Sequence, residues 1–298
     1  MSRVWTLARG SPDYPRGLHA LRDEAPETIY GLGERSLLAA LEPDCAVTIV
    51  GARRASGYGR HVAEELGRSL GAAGVLVISG MADGIDAAAH RGALAARAPT
   101  VAVLGGGPNV VYPRGQGRLY RRILEAGGAV VAELPPKTRP AKWTFPARNR
   151  IMAALAQVTI VVEAAEQSGS RITSDRALEL NRTVGAVPGP VTSQLSAGTN
   201  ALIYDGAHLI RDAQDVLDKL YGVGSHRVRN VGPPLDPHMA QVLDVIESGS
   251  LTADELAAAT TLPPRVVAVT LTGLELSGYL RCDAGRYLRT TLERPQRW

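Results

Sequence analysis

The sequence predicts an α/β chain, with a doubly wound, mostly parallel sheet followed by a small winged-helix unit. Three observations carry this reading. Short runs rich in Val and Ile alternate with helical segments from residue 46 onward. Most of these runs lack the in–out alternation of half-exposed strands, which is the pattern of strands covered on both faces. Gly-containing turns join the two kinds of segment, as helical crossovers between parallel strands require.

Residues 1–44 read as a lead-in broken by Pro12, Pro15, Pro26 and Pro43, with room for short helices over 18–22 and 34–40. The sheet domain is expected over 45–221. Its strands are expected at 46–51, 75–79, 100–104, 129–133, 158–163 and 184–187. Helices are expected between them at about 58–72, 84–97, 115–126, 146–156 and 171–182, with a closing helix over 213–220. Gly222, Gly224, Gly232, Pro233 and Pro234 mark 222–236 as a linker. In the unit at 237–298, a helix is expected over 237–247. Thr252 followed three residues later by Glu255 reads as a capping box that starts a second helix. A third helix at 265–276 and a hairpin over 279–288, turning at Asp283-Ala284-Gly285, complete a winged helix.

Apolar residues make up 45% of the chain, enough for a real core, while the net charge of +4 is too small to establish a nucleic-acid partner alone. Its distribution says more. Between Arg114 and Arg150 nine Lys or Arg face two acids, Glu125 and Glu133, whereas 222–298 carries eight charges of each sign. Cys45 and Cys282 have no metal or redox spacing and read as buried or idle thiols of a reducing compartment. The start Met1-Ser2-Arg3-Val4-Trp5 lacks the apolar run of a signal peptide. No apolar stretch reaches the roughly 20 residues of a bilayer span. A cytoplasmic protein without a membrane partner is expected.

The chain's one phenylalanine, Phe145, falls in the loop Lys142-Trp143-Thr144-Phe145-Pro146-Ala147-Arg148-Asn149-Arg150. A ring among cations suits single-stranded nucleic acid, because bases stack on the ring while cations meet phosphates. The other reading, a Phe that fills a gap beneath the loop, stays open.

Three turns look ready for anions. Gly51-Ala52-Arg53 opens a Gly-containing turn into a helix, which aims backbone N–H groups and the helix dipole at an anion, with Arg53 as a fixed charge. Its spacing is neither G-x-G-x-x-G nor a P-loop, so no cofactor is expected. Ser79-Gly80-Met81-Ala82-Asp83-Gly84-Ile85-Asp86 repeats the arrangement. Asp86 could hold a metal, but capping the helix is the stronger reading. Asp86 and His90 lack a third partner, so no catalytic set is expected. Ser168-Gly169-Ser170 is the third turn, with hydroxyls beside backbone donors, or else a plain helix cap. Three turns at one sheet edge, near Lys142, Arg148 and Arg150, imply a groove for several phosphates. Farther on, Leu202, Ile203 and Leu209 lie near a domain edge, where packing is the default and a subunit contact the sharper reading. The third winged-helix helix carries one Arg and one Glu, too few groups for duplex readout, so a protein contact or packing role is expected.

Gly51-Ala52-Arg53, the Ser79–Asp86 run, Phe145-Pro146-Ala147-Arg148-Asn149-Arg150, Ser168-Gly169-Ser170 and Val187-Pro188-Gly189 occur in one order on one sheet. Together they resemble the DprA/Smf family, DNA-processing proteins of bacterial natural transformation. The resemblance covers residues 12–220 well and the C-terminal unit more loosely. It implies a Rossmann-like domain that binds single-stranded DNA without catalysis, forms a homodimer, shields incoming strands and loads the recombinase RecA. It implies a DNA pocket using Arg53, Lys142 and Phe145, with Gly51, Ser79, Gly80, Arg148, Arg150, Ser168, Gly169 and Ser170 beside them. Dimer contacts would fall at Ile203 and Leu209. Ala52 stands where the family usually has Ser, and Arg171 where it usually has Leu. The helical domain that often precedes this region is not expected, because the lead-in starts almost directly.

Two other readings remain. Rossmann-like phosphoribohydrolases share Gly-rich turns and a strand-end glutamate, a part Glu163 could play, but their Pro-Gly-Gly-x-Gly-Thr loop is missing. A sequence-specific regulator acting through the winged helix is the third reading, and the neutral surface argues against it.

Overall fold

The computed structural model describes residues 3–166, 168–226, 232–233, 235–246, 251–283 and 285–290. The chain divides into two units, residues 1–228 and 229–298.

The first unit is built on one sheet. Its strands are β1 (Trp5–Ala8), β2 (Thr28–Gly33), β3 (Ala46–Val50), β4 (Leu76–Ser79), β5 (Thr100–Leu104), β6 (Ala129–Ala132), β7 (Val158–Val161), β8 (Thr183–Ala186) and β9 (His208–Leu209). They lie in the order β1-β2-β6-β5-β4-β3-β7-β8-β9. Every pairing from β6 across to β9 is parallel, while β1–β2 and β2–β6 are antiparallel. The helices are α1 (Gly57–Ala72), α2 (Ile85–Ala95), α3 (Gly117–Glu125), α4 (Thr144–Leu155), α5 (Gly169–Glu179), α6 (Gln194–Tyr204) and α7 (Ala213–Tyr221).

All five residues of β3 are buried, which explains why its sequence does not alternate. Val47 and Ile49 pack with Leu66 and Leu70 of α1 and Val216 of α7 on one face. Ala46 and Val50 pack with Ile151 and Leu155 of α4 on the other. From β3 the chain winds outward through β4, β5 and β6, then returns to β7 on the opposite side. The C-terminal ends of β3 and β7 therefore form the switch point where open α/β sheets usually bind ligands.

The lead-in is the main correction to the sequence reading. Residues 1–44 hold two strands in addition to short 3-10 turns at Arg16–Glu24 and Arg35–Leu37. A tertiary contact decides this. The Trp5 indole N–H donates to the Gly33 carbonyl at 2.9 Å. The Trp5 ring also lies over Gly31, where an added Cβ would come within 2.2 Å of it. Helix α6 and strand β9 were likewise not anticipated. Cys45 and Cys282 are both exposed rather than buried, and neither is in a disulfide.

The second unit comprises α8 (Pro237–Val245), β10 (Leu251–Thr252), α9 (Ala253–Thr260), α10 (Pro264–Leu276), β11 (Leu280–Asp283) and β12 (Arg286–Arg289). Three helices and a small antiparallel sheet make it a winged helix around Leu243, Leu256, Leu271, Leu274 and Tyr279. The capping box forms as its spacing requires. The Glu255 N–H donates to Thr252 Oγ1 at 3.3 Å, and the Thr252 N–H donates to Glu255 Oε2 at 2.7 Å. Arg265, Val269, Thr272, Glu275 and Leu276 are exposed on α10, so its outer face is mixed, with one charge of each sign. Linker residues 227–231 and 234, Glu247 at the end of the expected first helix, and Ala284 in the hairpin turn lie outside the described residues. Among the described residues no helix is long and apolar enough to cross a membrane.

Candidate nucleic-acid interface

A cleft of about 170 Å³ opens beyond the C-terminal ends of β4 and β5, between the turn after β3 and the start of α4. Its walls include Arg53, Leu104, Gly105, Tyr112, Pro140 and Phe145.

Phe145 stands in the first turn of α4 rather than on a loop. Pro146 follows it without breaking the helix, because the first helical turn has no intrahelical acceptor for the missing N–H. The buried Thr144 fixes this start. Its hydroxyl donates to the Ala141 carbonyl at 2.8 Å and accepts from the Ala141 N–H at 3.1 Å. Phe145 is half-buried, and its ring leans on Gly105, where an added Cβ would meet Cδ1 at 3.1 Å. The Arg53 guanidinium lies 5.3 Å from the ring centroid, within cation–π range. The Tyr112 ring lies 5.3 Å from Phe145 at an interplanar angle of 39°. Tyr112 is 46% exposed and Trp143 is 66% exposed. Lys142 and Arg53 are exposed too. The structure thus brings Arg53 onto Phe145 at the cleft, and Lys142 is exposed three residues before Phe145 in the chain.

Tyr112 escaped the sequence reading. It lies far from Phe145 in the chain and sits in no Gly-rich turn; only its place just before the first arginine of the basic stretch could have pointed to it.

Two of the three anion-ready turns already hold a carboxylate of the protein itself. At the start of α1, both oxygens of the buried Glu163 are taken. Oε2 accepts the Ser56 N–H at 2.9 Å and Oε1 accepts the Ser56 hydroxyl at 2.5 Å. Glu163 therefore supports the cap of α1. At the start of α2, the buried Asp86 accepts from the Ala82 N–H at 3.4 Å and pairs with Arg148 at 3.6 Å. Burial pushes the Asp86 carboxyl up, and the Arg148 charge opposes that shift. At the third turn Ser168 caps α5, with its Oγ 2.8 Å from Ser170 Oγ. Ser170 itself is buried, and the Gly169 carbonyl accepts from Asn149 Nδ2 at 3.3 Å.

Several of the residues expected beside the pocket have partners within the protein. Arg148 is buried against Asp86, donates to the Val103 carbonyl, and donates to Asn149 Oδ1 at 3.0 Å. Arg150 forks onto Glu133 at 2.6 and 3.0 Å and donates to the Glu24 carbonyl at 2.9 Å. Arg148 is part of the cleft lining, yet both guanidinium groups are engaged by carboxylates of the protein and hold the scaffold. Ser79 is fully buried, its hydroxyl donated to the Ile49 carbonyl at 2.5 Å. Gly80 and Gly51 are needed for close packing. An added Cβ at Gly80 would meet both Arg148 Nη atoms at 2.3 Å, and one at Gly51 would meet Ile85 at 2.6 Å.

His90 is buried behind this cleft wall. Its Nε2 lies 2.6 Å from the Gly80 carbonyl and its Nδ1 lies 2.8 Å from Thr100 Oγ1. Burial pulls the imidazole down to about 4, so it is neutral near pH 7. A carbonyl can only accept, so Nε2 carries the proton, while the single Thr100 hydroxyl hydrogen has both His90 Nδ1 and the Val77 carbonyl, 2.7 Å away, within reach. Among the described residues no three His, Cys, Asp or Glu side chains gather for a metal ion.

Away from the cleft, Leu209 is 45% exposed on β9, the last strand of the sheet, and Tyr204 on α6 is 92% exposed. Ile203 is half-buried beside them.

Comparison with known proteins places these features in a family. A family model described as DNA recombination-mediator protein A matches residues 5–221. A second model, the DprA winged helix domain, matches 230–286. A putative DNA processing protein DprA of Mycobacterium tuberculosis (strain CDC 1551) is 41% identical over 81% of this chain and 64% of its own length. The chain thus spans somewhat less than two thirds of that relative. Protein Smf of Escherichia coli K12 is 35% identical over 93% of this chain and 75% of its own length. The crystal structure of DNA processing protein A from Streptococcus pneumoniae matches with a TM-score of 0.66 and 39% identity, covering 72% of this chain and 74% of that one. The Helicobacter pylori DNA processing protein A, whose structure is described as revealing its single-stranded DNA binding mode, matches at TM-score 0.63 and 28% identity, covering 74% of this chain and 98% of that one. With a Rossmann-like sheet, a winged helix and two family models that between them span most of its length, this chain belongs to the DNA recombination-mediator protein A (DprA/Smf) family.

Proposed function

We propose that the chain binds single-stranded DNA at the Phe145 cleft, without catalysing a reaction on it. The observation that carries this is the joint placement of a half-buried aromatic ring with Arg53 over it and exposed Tyr112 beside it in one cleft, with exposed Lys142 three residues before the ring in sequence. A base stacks on Phe145 or Tyr112, worth about 1–3 kcal/mol per base. Arg53 and Lys142 meet the flanking phosphates, and the Ser168–Ser170 turn offers a further phosphate contact. The cleft presents no side-chain pattern for reading base edges, so recognition is sequence-tolerant. The single-stranded DNA named for the Helicobacter pylori relative supports the same reading.

The family also supports two partners. A homodimer through the β9 edge would cover Ile203 and the exposed Leu209, and RecA would receive the bound strand. With strand protection and RecA loading, this is the role of a recombination mediator in the cytoplasm.

Binding measured by fluorescence anisotropy across a salt series tests the DNA step. Each phosphate contact on a single strand contributes a slope of about −0.7 in log K against log salt. The two cleft cations give an expected slope of about −1.4 on a strand short enough to occupy the cleft alone. An affinity that does not change with salt would remove phosphate contact from the account.

A further inference from the structure

Helix α3 carries a basic face of three arginines, with the exposed Glu125 at its last position as the helix's one acid. Leu119, Tyr120 and Ile123 are buried against the sheet, while Arg118, Arg121 and Arg122 are exposed on the opposite side. Among the described residues these three guanidinium groups have no ion pair or hydrogen-bond partner. Positions 118, 121 and 122 are three and four residues apart, so the charges are helix neighbours and repel one another. By contrast, Arg68, Arg150 and Arg211 elsewhere in this unit each hold a carboxylate at 2.6 Å.

The position of this face matters as much as its charge. Helix α3 starts four residues after Pro113, which with Tyr112 walls the cleft. Two side chains fix it there. Gln116 Nε2 donates to Asp83 Oδ1 at 2.5 Å, and the Tyr120 hydroxyl donates to the Pro108 carbonyl at 2.8 Å. Asp83 itself lines the cleft, so this hydrogen bond ties the start of α3 to the cleft wall.

We infer that α3 is a second phosphate track, which holds single-stranded DNA after it leaves the cleft past Tyr112. This inference rests on the proposed DNA binding and extends it: the cleft engages the first nucleotides, and Arg118, Arg121 and Arg122 meet phosphates farther along the same strand. The occupant is a single strand rather than a protein, because the face is cationic without an apolar centre and is continuous with a site lined by stacking rings.

The test compares the full chain with the Arg118→Gln/Arg121→Gln/Arg122→Gln variant on two oligothymidines, one of about 6 nucleotides and one of about 30 nucleotides. Glutamine keeps helix propensity, and all three sites are exposed, so the fold is retained. The variant is expected to bind the long strand at least tenfold more weakly and the short strand within about twofold of wild type. Its salt slope on the long strand should flatten by about 2, the share of three contacts. Phe145→Ala, run beside it, should weaken both strands. Unchanged affinity and slope on the long strand, with Phe145→Ala still impaired, overturn the track and leave the cleft standing. Equal loss on both strands also overturns it, since a track must discriminate by length. If Phe145→Ala binds both strands like wild type, the cleft reading fails, and the track falls with it.

Discussion

Replacing Arg148 by methionine separates the two parts an arginine beside a DNA cleft can play. Its side chain is 9% exposed and lies 3.6 Å from Asp86. It also donates to the Val103 carbonyl and to Asn149. Methionine retains much of the volume but leaves the Asp86 carboxylate buried without its ion-pair partner, with the Ala82 N–H at 3.4 Å, the Ser79 hydroxyl and the Arg53 charge as its remaining support. Breaking a buried ion pair from one side costs about 3–5 kcal/mol. Asp86, already pushed up by burial, can take a proton once the guanidinium is gone, so the lower end of that range applies. A loss of about 3 kcal/mol lowers the melting temperature of a unit this size by about 6–12 °C. Thermal unfolding followed by circular dichroism reads this directly. Adding Asp86→Asn to the same chain removes the buried charge and should recover more than half of the loss. At a temperature where both proteins are folded, the Arg148→Met variant should bind single-stranded DNA within about threefold of wild type. A tenfold loss of affinity with an unchanged melting temperature would refute the reasoning and return Arg148 to the DNA surface.

Other outcomes follow from the same scaffold. Gly80→Ala places a methyl group 2.3 Å from the Arg148 guanidinium and should destabilise the sheet unit by about 1–3 kcal/mol in urea unfolding; a neutral substitution would mean that the arginine moves freely. His90 is neutral in the fold because burial holds it at about 4, whereas the unfolded chain takes up a proton near pH 6.5. The unfolded state therefore binds more protons between these values, and stability falls by roughly 3 kcal/mol as the pH drops from about 6.5 to 4. Asp86 titrates with the opposite sign because its carboxyl is raised, so the comparison is with His90→Gln. The variant should show a smaller fall over the same range, and equal falls would remove His90 as the cause. Leu209→Arg places a charge on the exposed edge strand and should shift sedimentation from dimer to monomer; an unchanged dimer would put the contact elsewhere.

The parallel sheet was legible because burial on both faces leaves continuous apolar runs, as in Val47-Thr48-Ile49-Val50 and Val158-Thr159-Ile160-Val161. Strands β1 and β2 were not legible. Each is short, Gly31 and Gly33 weaken the second, and the deciding Trp5 contact joins residues 28 positions apart. The cleft was legible at Arg53, Lys142 and Phe145, whose residue types carry the chemistry in any fold. Arg148 and Arg150 looked identical to them in sequence. Their carboxylate partners, Asp86 and Glu133, come from other elements, and only the fold brings them together. The start of α4 was placed two residues late, because Pro146 reads as a breaker although it stands in the first turn.

The most direct test of the central claim is single-stranded DNA binding by wild type and Phe145→Ala at two salt concentrations, with duplex as competitor. The cleft account requires wild type to prefer the single strand and to lose affinity with salt. It requires Phe145→Ala to bind about 5- to 150-fold more weakly while remaining folded, the equivalent of one lost stacking contact. Equal affinity of the two proteins, or equal affinity for duplex, would contradict it and leave Phe145 as packing for Gly105.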